Sequence, residues 1–178
     1  TYEELRKTLY ESIYHQTGVC CVRYPRGGEG KLPAGFAPDE AWSVRSISPK
    51  SPRKKLGLVT YGKETVQVCK AAEQLKEQGI AVSVLKLLRL LPFPEDSLRP
   101  LMGCDAILFV EEGIQSGGIG QMFGEKLLER QYRGEYRILA VDNRFVEQAS
   151  TDRALALTGL DAAGIVRTCQ TWLGIAAD

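Results

Sequence analysis

Hydrophobic and polar positions follow a helical period at the start of this chain and then change to a short extended run. Between Tyr2 and His15 the apolar residues recur at spacings of three and four, which predicts an amphipathic helix. Val19 to Tyr24 is a β-rich run that ends at Pro25, and it predicts one strand. Because a lone helix and strand cannot bury both of their faces, we interpret them as the last elements of a domain that begins upstream.

A segment rich in glycine and proline, Gly27 to Pro38, follows this first unit. Such composition is typical of a connection between two cores. We therefore expect residues 1–27 to end one domain, residues 28–41 to form a linker, and residues 42–178 to form a second domain.

Beyond residue 41 the pattern becomes that of an α/β sheet whose strands are mostly parallel. Ala41 to Ile47 alternates as a half-exposed strand, and we place it at the edge of the sheet. The periodicity then predicts further strands at 56–60, 80–88, 106–110 and 136–141, and helices at 64–78, 95–102, 118–132, 151–157 and 162–173. A glycine, Gly79, is predicted to cap the first of these helices.

The amino-acid composition indicates a folded protein and limits its possible partners. With 44% hydrophobic and 25% charged residues the chain of 178 residues should fold, and its 23 basic residues nearly cancel its 22 acidic ones. We therefore expect neither nucleic acid nor a membrane as a partner.

The apolar runs are far shorter than a membrane span and no targeting peptide is recognisable, so we expect a cytoplasmic location. The five cysteines include no CxxC pair, and we interpret them as reduced, structural thiols.

Polar residues follow each predicted strand at the edge of the sheet where ligands of doubly wound folds gather. They are Tyr61 to Lys63, Arg89, Glu111 to Gly113 and Asp142 to Arg144. The simpler interpretation, that strand ends are polar because they meet solvent, is the favoured one. The run from Glu111 to Gly120 joins a strand to a helix, and such a helix start could hold an anion. It lacks the signature of a phosphate or dinucleotide loop, and its two carboxylates would oppose a phosphate, so close packing of the helix on the sheet is favoured.

The candidate chemistry within the chain is sparse. His15 is the only histidine, and no serine or cysteine carries the signature of a nucleophile, so the sequence predicts no catalytic residue and no metal ligand. The candidate binding residue lies in Arg23-Tyr24-Pro25-Arg26-Gly27, where a rigid proline fixes the place of an arginine. A guanidinium there suits a phosphate or carboxylate, and a salt bridge at the seam between two domains fits equally well.

Four motifs in order resemble the last third of 1-deoxy-D-xylulose-5-phosphate synthase, a member of the transketolase superfamily. They are Val22 to Gly27 (VRYPRG), Leu90 to Asp96 (LLPFPED), Val110 to Gly120 (VEEGIQSGGIG) and Gly159 to Gly164 (GLDAAG). The resemblance implies a three-layer α/β/α domain with a five-stranded, mostly parallel sheet that has one antiparallel strand. It also implies that residues 1–27 are the end of the pyrimidine-binding domain and that residues 42–178 are a transketolase C-terminal-like domain.

The same resemblance carries the functional expectations. The family uses thiamine diphosphate and magnesium, works as a homodimer, and joins decarboxylated pyruvate to glyceraldehyde 3-phosphate. Arg26 matches the family arginine that contacts the phosphate of the acceptor aldehyde. The residues that bind the cofactor and metal match parts upstream of Thr1, so we expect this fragment to bind no cofactor and to be inactive alone. The implied partners are the upstream domains, a second copy and a phosphorylated sugar.

Two alternatives stay open at this stage. The segment Asp142 to Thr151 departs from the more usual family pattern, which leaves room for the C-terminal domain of another transketolase-like enzyme or of a 2-oxo-acid dehydrogenase β subunit. A non-catalytic assembly module would use the same fold, since fold alone does not fix function.

Overall fold

The computed structural model describes residues 1–25, 27–38 and 40–175. Its helices are α1 (Tyr2–Tyr14), α2 (Thr65–Glu77), α3 (Ile119–Glu129), α4 (Thr151–Thr158) and α5 (Ala162–Leu173). Its strands are β1 (Trp42–Ile47), β2 (Lys54–Tyr61), β3 (Ile80–Leu87), β4 (Ala106–Ile114) and β5 (Glu135–Val141). Two short 3₁₀ helices, Gly62–Glu64 and Glu95–Leu101, complete the described elements.

The five strands form one sheet in the order β1-β3-β2-β4-β5. Strands β2, β3, β4 and β5 pair in parallel, and β1 pairs antiparallel with β3 at the edge, as the alternation in residues 41–47 and the family resemblance predicted. The order reverses between β2 and β4, because the chain runs outward to β3 in one direction and to β4 and β5 in the other.

Helices cover both faces of this sheet, which makes the domain three-layered. One core joins the sheet to α2, α4 and α5 through residues such as Leu58, Leu75 and Ile165. The other joins it to α3 and the 3₁₀ helix at Glu95–Leu101 through residues such as Phe109 and Phe123. Strands buried on both faces read as continuous apolar runs, which is why β2 and β4 were recognisable in the sequence.

Local signals fix the ends of the helices. The Asp161 side chain accepts a hydrogen bond from the Gly164 N–H at 2.9 Å at the start of α5, and Gly159 closes α4 in the left-handed conformation at φ 72°. Gly79 follows the C-cap residue of α2 at φ 83°, as predicted. The predicted helix 95–102 is a 3₁₀ helix, because Pro100 within it removes a backbone donor.

The predicted strand from Val19 to Tyr24 was wrong. Residues 19–25 carry no strand, and Val19 and Tyr24 are exposed. A strand needs a neighbour to hydrogen-bond, and the described part of the chain places none beside this run.

The helix α1 is present as predicted, but most of its apolar face is exposed, including Tyr10, Ile13 and Tyr14. Its attachment to the domain is polar: the buried carboxylate of Glu4 pairs with the buried ammonium of Lys86 on β3. The assignment of residues 1–27 and 42–178 to two domains stays a prediction.

The cysteines of this chain differ in their exposure to solvent. All five cysteines are free thiols; Cys69 and Cys169 are buried and Cys104 is half-buried, whereas Cys20 and Cys21 are exposed and thus not structural. No helix within the described ranges has the length and apolar character that crossing a membrane requires.

Candidate functional site

The candidate site is the crevice at the carboxyl ends of β2 and β4, where the strand order of the sheet reverses. Ligands of open α/β sheets bind at such a reversal. Tyr61 ends β2 on one side, and Glu111 lies near the end of β4 on the other. The glycine-rich run then leads into α3, and the 3₁₀ helix Gly62–Glu64 leads into α2.

The Glu111 carboxylate occupies the start of α3. One of its oxygens, Oε1, accepts a hydrogen bond from the Gly120 N–H at 3.0 Å, and Oε2 accepts from the Ile119 N–H at 3.2 Å. Oε2 also accepts from the Tyr61 hydroxyl at 2.9 Å, and the residue is 1% exposed. An internal carboxylate therefore fills the position where the amides of a helix start would otherwise hold a bound anion.

The glycines of the run make room for that carboxylate and for the sheet. A Cβ at Gly118 would collide with Glu111 Oε1 and lie 2.7 Å from the Ile114 carbonyl oxygen, and one at Gly120 would lie 3.0 Å from Ile138 of β5. This confirms that the glycines serve close packing of α3. It also gives the reason: no space remains between α3 and β4 for a larger residue or for a phosphate.

Two tyrosines border the Glu111 carboxylate. Burial, reinforced by the charge of Glu111, raises the pKa of the Tyr61 phenol well above its usual range, and the same two causes raise the pKa of Tyr136. The Tyr136 hydroxyl donates to the Gly120 carbonyl at 2.5 Å. Both phenols therefore stay protonated at neutral pH and act as hydrogen-bond donors.

A second carboxyl group, Glu64, lies beside the same crevice at the N-cap position of α2, but its surroundings differ. It is 2% exposed, and neither of its side-chain oxygens has a hydrogen-bond donor within reach. Burial, followed by the charge of Glu112 and a contact with its carboxylate, raises the pKa of Glu64 to about 9, and Asp161 adds to the rise. The buried position therefore favours the acid form of Glu64 over the carboxylate.

The strand-end residues singled out in the sequence do not all meet. Tyr61 and Glu111 are in contact, whereas Arg89 follows β3 and Asp142 follows β5, each one strand further out. Asp142 and Arg144 form a solvent-exposed pair at 3.6 Å. Exposure to solvent explains the polarity of those outer strand ends, while Tyr61 and Glu111 are polar because they bond each other.

Arg26, the predicted substrate-binding residue, lies outside the described residues. The chain on either side of it is described. A Cβ at Gly27 would lie 3.4 Å from Lys63 Nζ, and one at Gly30 would collide with the Val66 side chain. The segment that follows Arg26 therefore runs along the start of α2, next to the crevice.

The donors of this site do not match those that the implied cofactor needs. A diphosphate with magnesium needs free backbone amides or cations and a set of carboxylates. The amides at the start of α3 are taken by Glu111. Within residues 1–25, 27–38 and 40–175, no three His, Cys, Asp or Glu side chains are grouped to hold a metal ion. The described residues do not fit thiamine diphosphate and magnesium.

Sequence reasoning missed the roles of Glu64 and Glu111. For Glu64 a signal existed, since it lies on the same helical stripe as the buried residues Val68, Ala72 and Leu75. For Glu111 the signal was weaker: it continues the buried run of β4 by a single position. The contact between its charge and the start of α3 depends on how that helix packs against the sheet.

Known proteins that resemble this chain support the same fold. Residues 46–165 match the family model described as transketolase, C-terminal domain. A protein of a Synechococcus species named 1-deoxy-D-xylulose-5-phosphate synthase is 31% identical over 91% of this chain and 25% of its own length. One of the same name from Corynebacterium glutamicum is 26% identical over 96% of this chain and 28% of its own length. The chain thus spans about a quarter of the length of these curated relatives.

Solved structures give the same result. A structure described as a split-gene transketolase, inactive β4 tetramer, superposes with a TM-score of 0.67 at 26% identity, over 82% of this chain and 48% of that one. A transketolase from Pichia stipitis superposes with a TM-score of 0.54 at 19% identity, over 77% of this chain and 18% of that one, which supports the fold alone. The matched family model covers more than half of the residues, and the chain belongs to the transketolase C-terminal domain family.

Proposed function

We propose that this chain is the C-terminal part of a 1-deoxy-D-xylulose-5-phosphate synthase, an enzyme that condenses pyruvate with glyceraldehyde 3-phosphate and releases carbon dioxide. The observation that carries the proposal is the likeness to proteins of that name over more than nine-tenths of this chain. Thiamine diphosphate, magnesium, a homodimeric assembly and a cytoplasmic location belong to the same proposal. Its cofactor residues would lie in the upstream part of the longer protein, since the described residues do not fit the cofactor.

Within this proposal the chain supplies a scaffold and one substrate contact. The domain of residues 42–178 packs and assembles the enzyme, and Arg26 binds the phosphate of the acceptor aldehyde through its guanidinium. The position of Gly27 beside Lys63 supports this role, because a second cation there adds to a positive field for a phosphate.

The experiment that tests the activity is a coupled assay of the full-length protein with pyruvate, glyceraldehyde 3-phosphate, thiamine diphosphate and magnesium. We expect carbon dioxide release that depends on the aldehyde. A full-length protein that takes up the cofactor and releases nothing from these substrates would remove the proposal.

The role of Arg26 is tested in the same protein by Arg26→Ala. Losing a charge-assisted, bidentate hydrogen bond should raise KM for the phosphorylated aldehyde by about 10- to 100-fold and leave KM for pyruvate nearly unchanged. Lys31→Ala, which removes an exposed cation of the same segment, is the matched control. Equal effects of Arg26→Ala on both substrates would contradict the role, and lost stability without a kinetic change would favour the salt bridge at the domain seam.

A second candidate function has one observation in its favour. The likeness to a split-gene transketolase described as an inactive β4 tetramer, at 26% identity, suggests a chain that assembles without catalysis by itself. In that case a separate chain would supply the cofactor domains. Sedimentation of the 178-residue chain, combined with an activity assay, distinguishes the two candidate functions. A tetramer that gains activity when a second gene product is added supports the split enzyme.

A further inference from the structure

A small cavity of about 50 Å³ lies beside the crevice, between the start of α2, the end of β4 and the start of α4. Its lining includes Glu64, Glu112, Asp152 and Lys63, together with Gly30 from the segment that precedes β1. The cavity has room for a water molecule or two and is too small for an organic ligand. The carboxyl groups that line the cavity therefore determine what it can hold.

Glu64 is the buried member of this group. Its side chain is almost fully removed from solvent, and no donor reaches either oxygen. An ionised carboxylate in that place would lose its hydration without compensation. A carboxylic acid would lose much less, and its hydroxyl could donate one hydrogen bond.

The charged groups that face Glu64 come from each element around it. Glu112 is an exposed residue of β4, Asp161 stands at the start of α5, Asp152 lies in the first turn of α4, and Lys63 precedes Glu64 in the chain. Three of the four are acidic. Glu112 lines the cavity together with Glu64 and is the carboxylate in contact with it, whereas Asp161 is not part of that lining.

A metal ion is a poorer occupant than a proton. In the described part of the chain no three acidic, histidine or cysteine side chains are arranged to hold a metal ion, and a cationic residue, Lys63, belongs to the same lining. A proton needs only one acidic group and one acceptor. Burial assigns that proton to Glu64, because Glu112 is exposed and retains solvent around its charge.

We propose that Glu64 is a neutral carboxylic acid at neutral pH, that it donates a hydrogen bond to the Glu112 carboxylate, and that this bond is an alkali-sensitive latch between the start of α2 and the end of β4. When a solvent base removes the proton, two carboxylates face each other across the cavity and the bond is lost. The latch stands independently of the enzymatic proposal, since it rests on residues of this domain alone.

The sign of the pH dependence follows from the proton count. Glu64 holds its proton in the folded chain up to about pH 9, whereas an unfolded glutamate releases it near pH 4.5. Between those values the folded state binds more protons, so the contribution of Glu64 to stability is complete below the lower value and is lost as the pH rises through the upper one.

The direct test is a titration of the 178-residue chain whose glutamates carry ¹³C at the side-chain carboxyl, followed by NMR. Glu64→Gln assigns the Glu64 signal. We expect that signal to move near pH 9, far above the ordinary glutamate value of 4.5. A Glu64 signal that moves near pH 4.5 would overturn the proposal.

A second measurement tests the latch by its energetics. The equilibrium constant for unfolding should rise with pH in the wild-type chain relative to Glu64→Gln, by as much as about tenfold per pH unit for one linked proton. Glu77→Gln should follow the wild-type curve. Parallel curves for the wild-type and Glu64→Gln chains would overturn the latch.

The same NMR sample tests for a metal ion in place of the proton. Magnesium, calcium or potassium chloride is added at pH 7. We expect no change at the Glu64 signal. Release of the Glu64 proton on addition of one of these ions would overturn the proposal in favour of a cation site.

Discussion

Glu111 and Glu64 lie beside the same crevice, each where a strand leads toward a helix, yet their surroundings are opposite. Glu111 accepts from two backbone amides and one phenol. Glu64, at the start of α2, meets no donor and faces a second carboxylate. A helix start does not by itself stabilise a carboxylate; the amides have to point at the oxygens.

The difference lies in the backbone beside each residue. Around Glu111 the glycine run lets the start of α3 approach until its N–H groups reach the carboxylate. Around Glu64 the chain enters α2 directly through a 3₁₀ turn, and the carboxyl group is carried into the domain by its own helix. One carboxylate therefore holds the two halves of the crevice together, and the other is tolerated as an acid.

Removing the Glu111 carboxylate should have the largest effect on stability. Glu111→Ala leaves three donors, one buried and two part-buried, without an acceptor, so we expect the free energy of unfolding to fall by about 4 kcal/mol. Chemical denaturation measures it, with the exposed Glu125→Ala on α3 as control, expected within about 0.5 kcal/mol of wild type. A loss no larger than that of the control would mean that Glu111 does not hold the crevice.

Adding a methyl group next to the Glu111 carboxylate should have the second-largest effect on stability. A methyl group at Gly118 meets Glu111 Oε1 and the Ile114 carbonyl, so Gly118→Ala should cost about 2 kcal/mol through overpacking. The control is Gly103→Ala, where an added Cβ meets nothing within 4 Å. Equal denaturation midpoints for the two variants would contradict the close approach of α3 to Glu111.

Removing one donor should have a smaller effect. Tyr61→Phe deletes the hydroxyl that bonds Glu111 and keeps the ring, so we expect a loss of about 1.5 kcal/mol. Tyr24→Phe changes an exposed tyrosine in the same way and should be neutral. If both variants unfold at the same denaturant concentration, the Tyr61–Glu111 bond contributes nothing to stability.

The smallest expected effect has the opposite sign. Glu64→Leu deletes the hydrogen bond to the exposed Glu112, but it also removes a buried carboxyl group that must hold a proton at pH 7 at a cost in free energy. The second effect is the larger, so the free energy of unfolding should rise by about 1 kcal/mol at pH 7, and by more near pH 9. Glu77→Leu on the exposed face of α2 is the control. Destabilisation by Glu64→Leu at both pH values would show that the two carboxyl sites do not differ as described.

Most of the fold could be predicted from periodicity, because strands buried on both faces and amphipathic helices leave distinct patterns. The helix 162–173 was predicted at the bounds that α5 has, and the edge strand β1 within one residue. The strand at Val19–Tyr24 was wrong because a β-rich composition states a preference but supplies no neighbour to pair with.

The amino-acid sequence by itself determined the alternation of elements, the edge position of β1 and the resemblance to the transketolase superfamily, since all three depend on local patterns of side chains. Only the tertiary structure decided which polar strand ends meet, that Glu111 fills the start of α3, and that Glu64 is buried without a donor. Those facts depend on the strand order, which brings together residues fifty positions apart, and local sequence carries no record of that distance.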